Sequence, residues 1–214
     1  MPTIEEARKW YQPSDPVHGF DHILRVYVLA TRLARQEGAD LEIVQAAALL
    51  HDTGSEDNPE LKVADRKKHH QASAAFALKV LSKEGWSPGR IAAVQHCIEA
   101  HRFRDECNVP ETIEAMVLFD ADKLDAIGAI GVARAVAFAA RANQPIFTEP
   151  SEKFISAGQK IPGEHHSAYH EYIYKLSKIT GRLYTVSGLK MAEERDRFMA
   201  VFFKRLQAEV KGEI

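Results

Sequence analysis

The sequence predicts an all-α protein, a bundle of helices around one hydrophobic core. Helix start and stop signals recur along most of the 214 residues, whereas alternating strand patterns bounded by turn residues are scarce. Hydrophobic residues make up 45% of the chain, which is enough to bury a full core. We therefore expect a single helical domain over residues 1–214.

Capping residues delimit the predicted helices of the N-terminal half. Thr3 and Glu6 form a capping box for the first helix, and Gly38 is a stop signal for the second. Asp40 is the predicted cap of the third helix, which is apolar on nearly every side, as expected at the centre of a bundle. The predicted ranges of the second to fifth helices are 20–37, 41–50, about 70–84 and about 87–101.

The C-terminal half is predicted to hold a sixth helix that begins at Pro110, then a segment of small residues. In that segment Gly128 and Gly131 would allow close packing of helices, and no phosphate-binding glycine motif is present. Residues 143–164 are rich in Pro, Gly and Ser, which predicts a long surface loop that could act as a mobile lid. Two amphipathic helices, near 166–179 and 189–210, complete the chain within the C-terminal region 165–211.

Charge and apolar patterning exclude several classes of protein. The 28 Lys and Arg against 30 Asp and Glu do not indicate a binder of long nucleic acids. The N-terminus lacks the pattern of a signal peptide, and the longest apolar-dominated stretch, 127–140, carries Arg134 and is too short to cross a membrane. We therefore expect no membrane partner. Cys97 and Cys107 form no CxxC pair, which indicates a reduced, cytoplasmic compartment.

The motif LLHDTG places His51 and Asp52, two residue types that commonly bind metal ions, directly after an apolar helix. Adjacent helical residues point about 100° apart, so these two can share an ion only near a helix end, where the backbone loosens. Ligands from facing helices, His22 upstream and an Asp downstream, could then close a site in the bundle core. A set of imidazoles and carboxylates suits a divalent ion such as Mn, Fe, Co, Ni, Mg or Zn.

The order His…His-Asp…Asp, flanked by DHILRV, LLHD and ADKLDA, resembles the HD superfamily of metal-dependent phosphohydrolases. The likeness covers about 18–134, and the segments HEYIYKL and TVSGLKMAEERDRFM also resemble the small stand-alone bacterial HD hydrolases. This resemblance implies an HD-domain helical bundle with a metal site in its core. It also implies that the metal ligands are His22, His51, Asp52 and Asp122.

The same resemblance implies roles in catalysis and substrate binding. Lys123 and Arg25 are the implied ligands of a substrate phosphate, and Lys123, His70 and His101 the implied catalytic side chains. The two histidines could donate to the phosphate or hold a second ion. Several branches of the superfamily carry an acidic residue three positions after the Asp of the His-Asp pair, where this chain has Ser55, so the general base stays open. Glu56 and Asp57 lie close by but are more typical of a solvated acidic loop, and His70 and His101 are the better candidates.

The segment FDADKLDAI supports two conflicting interpretations. Helical periodicity places Asp120 on the apolar stripe, and would aim that carboxylate into the core. The resemblance favours Asp122 as the metal ligand, because Asp-Lys-Leu matches the last motif of the superfamily. We follow the resemblance and predict that Asp120 has a supporting or capping role.

The remaining histidines are interpreted as structural. A histidine on a helix face is more often a hydrogen-bonded core residue than a metal ligand. We assign supporting roles to His18, His69 and His96, and surface or packing roles to the group His165, His166 and His170.

The predicted function is hydrolysis of a phosphoester or phosphoanhydride in a small phosphorylated substrate, such as a nucleotide, with a divalent metal as cofactor. The chain is also compatible with a homo-oligomer. Two alternatives remain open: a di-iron oxygenase on the same scaffold, and a non-enzymatic ligand-binding protein whose metal is structural. Metal analysis separates the first alternative, because it requires two redox-active irons per chain.

Overall fold

The computed structural model describes residues 1–11, 19–53, 69–102 and 108–214. Within these ranges the regular elements are all helical, which confirms the predicted all-α class. The α-helices are α1 Ile4–Arg8, α2 Phe20–Glu37, α3 Leu41–Leu50, α4 His69–Lys83, α5 Pro88–Ala100, α6 Ile113–Leu124, α7 Gly128–Arg141, α8 Glu152–Ala157, α9 Ala168–Tyr174 and α10 Val186–Val210. Two short 3₁₀ turns, Leu176–Lys178 and Thr180–Arg182, separate α9 from α10.

The predicted caps of the N-terminal helices are confirmed. Thr3 and Glu6 form a reciprocal capping box at the start of α1. Asp40 accepts hydrogen bonds from the backbone N–H groups at the start of α3, and Gly38 ends α2 in the left-handed region, at φ 73°. These local signals hold because each cap satisfies backbone groups that the helix itself leaves unpaired.

The C-terminal half departs from the predictions in two places. Residues 143–164 are not one continuous loop, because α8 lies within them and the side chain of Ser151 caps it. The helix predicted near 166–179 is shorter, since α9 ends at Tyr174 and the chain continues as 3₁₀ turns. Both departures concern segments whose helices are short and whose order depends on contacts between distant residues.

The described residues form two compact units. The first comprises Met1–Lys123 with Leu183–Gly188, and its centre is α3, which packs against α1, α2, α4 and α5. Seven of the ten side chains of α3 are buried, as the apolar sequence of this helix predicts. The helix that precedes the His-Asp pair is therefore held from several sides, and its last turn lies inside the unit.

The second unit comprises Leu124–Arg182 with Leu189–Ile214. Its α7 lies close to α10, since a Cβ on Gly131 would stand 3.5 Å from Met199 Sδ and only 2.3 Å from the carbonyl oxygen of Ala126. The predicted close approach at this glycine is confirmed. In the described part of the chain, no helix is both long and apolar enough to cross a membrane. The prediction of a single domain over residues 1–214 stays a prediction.

Candidate metal centre

The end of α3 carries the His-Asp pair into the first unit. His51 is the C-cap residue, with φ −63° and ψ −32°, and its side chain is fully buried. Asp52 follows in the turn and is 25% exposed. His51 keeps helical dihedral angles, and the pair directly follows the last residue of α3, which is the helix-end position that two adjacent ligands require.

The carboxylate of Asp52 is surrounded by imidazoles from four different segments. The Nε2 atoms lie near its oxygens at 3.9 Å for His22, 3.7 Å for His51, 3.5 Å for His69 and 3.5 Å for His101. These histidines come from α2, the end of α3, the start of α4 and the end of α5. We name these residues, together with Asp122, the Asp52 cluster.

Two overlapping groups of the Asp52 cluster have donor atoms that lie within 4.8 Å of one another, and both contain Asp52. The first is His22, His51 and Asp52, and the second is Asp52, His69 and His101. Donors that share an ion at about 2.0–2.2 Å are separated from each other by roughly 3–3.6 Å. The donor atoms of each group lie within 4.8 Å, a little wider than in a bound ligand set, and the mixture of imidazole and carboxylate suits a borderline or hard divalent ion.

Backbone carbonyls orient two of the imidazoles. His51 Nδ1 donates to the carbonyl oxygen of Ala48 at 2.9 Å, and His101 Nδ1 donates to that of Ile98. A carbonyl can only accept, so in each neutral ring Nδ1 carries the proton and Nε2 presents a lone pair towards Asp52. Such outer hydrogen bonds are typical of metal-bound histidines.

The buried Nε2 of His51 makes no hydrogen bond to any of the described residues. Burial lowers the pKa of His51 to about 4, so the ring is neutral near pH 7 and its lone pair is available. Leaving a buried acceptor unsatisfied costs about 1–3 kcal/mol. A divalent ion would satisfy this atom, and the residues of the cluster fit such an ion.

Asp122 lies at the end of α6 against His22, with Oδ1 at 3.3 Å from His22 Nε2. Its other oxygen accepts from the ammonium of Lys123, which also lies over the ring of Phe119. Burial would raise the pKa of Asp122, but Lys123 and the hydrogen bond from His22 hold it well below its usual range. The carboxylate is therefore ionised, as a metal ligand must be.

Asp120, the competing residue of α6, lies elsewhere. It is fully buried and accepts hydrogen bonds from the backbone N–H groups of Tyr184 and Thr185, at 2.9 and 2.7 Å, and from Thr185 Oγ1 at 2.6 Å. The burial of this side chain agrees with the helical periodicity of FDADKLDAI. The assignment of Asp122 as a metal ligand stays a prediction, and the structure places that side chain beside His22.

The structure brings His69, instead of His70, to Asp52. The sequence analysis assigned His69 a supporting role, yet its Nε2 faces the carboxylate at 3.5 Å. His70 is buried beside it, with ring centroids 5.7 Å apart, and its catalytic role stays a prediction. His96 accepts from the backbone of Glu111 and lies outside the cluster, in agreement with a structural role.

The remaining predicted site residues lie outside the Asp52 cluster or outside the described residues. Arg25 is half-buried on α2, one turn after His22, and its role with a phosphate stays a prediction. The candidate general bases Glu56 and Asp57, as well as His18, lie outside the described residues.

Comparison with known proteins agrees with this arrangement. Residues 19–127 match the model of the HD domain family, and this range contains every member of the Asp52 cluster. The chain therefore belongs to the HD domain family.

Among individual proteins, the chain is similar to Bacillus subtilis YpgQ, with 32% identity over 219 residues that cover 99% of this chain and 96% of YpgQ. A crystal structure of YpgQ in complex with ADP has a TM-score of 0.74 and 28% identity, covering 98% of this chain and 99% of that one. An HD-superfamily hydrolase from Bacillus thuringiensis has a TM-score of 0.69 and 25% identity, covering 97% and 96% of the two chains.

Proposed function

We propose that this protein is a metal-dependent phosphohydrolase that acts on a nucleotide or on another small phosphoester or phosphoanhydride. The observation that carries the proposal is the Asp52 cluster, in which the buried Nε2 of His51 makes no hydrogen bond to the described residues and lies in one donor group with His22 and the ionised Asp52. The ionised Asp122 lies against His22 at the same place. The residues that would hold the ion are His22, His51, Asp52 and Asp122. When bound, a divalent ion supplies a Lewis acid that polarises a phosphoryl oxygen and makes water a better nucleophile near neutral pH.

Two cations of this chain are proposed to bind the substrate phosphate. Lys123 has an ammonium group beside Asp122 and only 11% of its side chain is exposed, so a phosphate contact there would be poorly screened by solvent. Arg25 follows His22 by one helical turn and can therefore reach the same side of α2. Both would offset the charge that develops on the phosphoryl oxygens in the transition state.

His101 is proposed to act next to the reacting phosphate, with His70 as a further candidate. Because Nδ1 of His101 donates to Ile98, the neutral ring offers a lone pair at Nε2. That state suits a proton acceptor or a metal ligand, whereas donation to a phosphate would require the imidazolium.

The nucleotide is favoured as the substrate class by the relative that binds one. YpgQ was crystallised with ADP, and its chain and this one cover each other almost completely. The nearly balanced charge of this chain, 28 basic against 30 acidic residues, also fits a small ligand better than a polynucleotide.

The test is a metal-supplemented screen of nucleotides, phosphomonoesters and inorganic polyphosphates with identification of the products. We expect no turnover by protein stripped of metal, and recovery when Mn²⁺, Co²⁺, Ni²⁺ or Mg²⁺ is added back. Full activity in protein whose metal content has been verified as nil would overturn the proposal.

One observation favours a second candidate function, the di-iron oxygenase. Asp52 also belongs to a second group with His69 and His101, so the described donors could surround two ions that share this carboxylate. Metal analysis of protein purified without chelators distinguishes the two: one exchangeable divalent ion per chain supports the hydrolase. Two tightly held irons that change oxidation state support the oxygenase, and a tightly held ion without any turnover supports the structural alternative.

A further inference from the structure

We propose that Tyr184 is the platform on which the aromatic base of a nucleotide stacks. This inference rests on the proposed function, and it adds a residue outside the segments 18–134 that the motifs cover. Tyr184 is 41% exposed, and its ring meets that of Phe119 edge to face, with centroids 5.1 Å apart and an angle of 83°.

A chain of contacts links Tyr184 to the Asp52 cluster. Phe119 is buried, and the ammonium of Lys123 lies over its ring at 5.2 Å from the centroid. That ammonium in turn contacts Asp122. The Lys123 ammonium and the centroid of the Tyr184 ring are therefore at most about 10 Å apart. Within this limit one nucleotide can place a phosphate at Lys123 and its base at Tyr184.

The backbone that carries Tyr184 is held by a buried carboxylate. Asp120 accepts three hydrogen bonds from Tyr184 and Thr185, between 2.6 and 2.9 Å. Asp120 lies two residues before Asp122 on the same helix, so one rigid element positions both the proposed ligand and the aromatic ring. A solvent-exposed tyrosine is ordinary by itself, but one whose backbone is fixed to the helix of a metal centre is preorganised for binding.

Packing at the next turn strengthens this attachment. A Cβ on Gly188 would stand 2.5 Å from Asp120 Oδ2 and 2.6 Å from Thr185 Oγ1, so only glycine fits there without displacing the clamp. Ser187 N also donates to Glu37 Oε1 at 2.7 Å, which fixes the segment to the end of α2. The segment Leu183–Gly188 therefore belongs to the first unit by specific hydrogen bonds, and it brings Tyr184 with it.

The chemistry of the ring identifies its ligand class. A fixed aromatic face accepts any nucleobase by stacking, with little dependence on the identity of the base. We therefore expect Tyr184 to strengthen the binding of nucleotides in general, and to contribute nothing to phosphates that lack a base.

The test compares the binding of ADP and of inorganic pyrophosphate to the Mn²⁺-loaded full-length protein by calorimetry. We expect Tyr184→Ala to weaken ADP binding roughly tenfold and to leave pyrophosphate binding unchanged, whereas Tyr184→Phe retains both. Tyr174→Ala is the matched control, since Tyr174 is 43% exposed and lies in the second unit. Melting temperatures establish that each variant is folded.

A spectroscopic variant reports stacking directly. The indole of Tyr184→Trp should be quenched by ADP and not by pyrophosphate. Unchanged ADP affinity in Tyr184→Ala, or an equal loss for both ligands, would overturn this inference while leaving the proposed function intact. Failure of the wild-type protein to bind ADP and to hydrolyse any phosphate substrate with metal present would instead overturn both.

Discussion

Two clusters of histidine and carboxylate side chains differ in how completely they satisfy one another. In the second unit, His170 Nδ1 pairs with Ser167 Oγ at 2.7 Å, and its Nε2 pairs with Glu164 Oε1 at 3.2 Å. Glu164 also accepts from Ser151 N, Ser151 Oγ and Ile161 N, at 2.7 to 2.8 Å. We name this network the Glu164 cluster.

In the Asp52 cluster the imidazoles stay 3.5 to 3.9 Å from the shared carboxylate, and His51 Nε2 makes no hydrogen bond to the described residues. Both clusters contain buried histidines and ionised carboxylates, but only the Asp52 cluster leaves donor atoms pointing at a common space. Hydrogen-bond satisfaction therefore separates a cluster that orders a loop from one that can bind an ion.

Exchanging one histidine in each cluster should have opposite effects. We expect His51→Gln to abolish metal binding and to lower turnover by more than about 100-fold, because even the loss of an outer partner of a ligand costs about 10–100-fold. His170→Gln should keep metal and activity but reduce the free energy of unfolding by about 1–3 kcal/mol, since it leaves buried partners unsatisfied. Metal analysis and denaturant unfolding of both variants test the comparison, and equal metal content would refute it.

The two aspartates of α6 sharpen the same contrast within one helix. Asp122→Asn should remove the bound metal and the turnover, because an amide is a poor ligand next to His22. Asp120→Asn should keep most of the metal and lower stability by about 1–3 kcal/mol, since it removes an acceptor for Thr185. If metal analysis gave the reverse order, the ligand set would have to be redrawn with Asp120 in it.

Lys123 should affect the substrate more than the metal. Lys123→Ala is expected to lower kcat/KM by about 10–100-fold, because one charge-assisted hydrogen bond contributes about 1.5–3 kcal/mol. Metal content should stay at the wild-type level, since Asp122 keeps its contact with His22. Unchanged kinetics, or loss of the ion, would show that this lysine acts differently.

A substitution in the Glu164 cluster should have the smallest effect, a change in thermal stability that depends on pH. The backbone hydrogen bond from Ser151, with further bonds from Ile161 and His170, lowers the pKa of Glu164 to about 2 from an ordinary value of 4.5. A lowered folded-state pKa means that its stabilising contribution is present above about pH 4.5 and is lost as the pH falls towards 2.

Melting curves of the wild-type protein and of Glu164→Gln at several pH values measure this contribution. The gap between their melting temperatures should be largest above pH 4.5 and should narrow below it. Glu149→Gln is the control, because the contacts of Glu149 are exposed, an ion pair with Lys211 at 3.7 Å and a hydrogen bond from Gln207 at 3.3 Å, and it should show a negligible gap. A gap that stays constant down to pH 2 would contradict the assignment.

Several features of the fold were predictable because their causes are local. The caps at Thr3, Asp40 and Gly38 satisfy backbone groups within one turn of the helix, so a short stretch of sequence contains all the information. The burial of α3 followed from its apolar composition. The position of His51 and Asp52 at its end followed from where that composition stops.

The structure of the segment 143–164 was harder to predict, because contacts between residues far apart in the sequence determine its conformation. Its Pro, Gly and Ser content predicted a loop, yet Glu164 reaches back 13 residues to Ser151 and fixes the start of α8. No periodic pattern signals such a contact. Tyr184 was missed for the same reason, since its backbone is held by Asp120 from 64 residues earlier in the chain.

The sequence by itself determined the helical class, the main helix ends and the family, because these depend on local capping, on composition and on motif spacing. Only the tertiary structure decided that His69 and not His70 faces Asp52, and that Asp120 and Asp122 serve different partners. Residues one or two positions apart on a helix point about 100° or 200° apart, so the rotation of the helix about its axis decides which of them faces a given partner. That rotation is set by packing against the other helices of the unit, which no single stretch of sequence specifies.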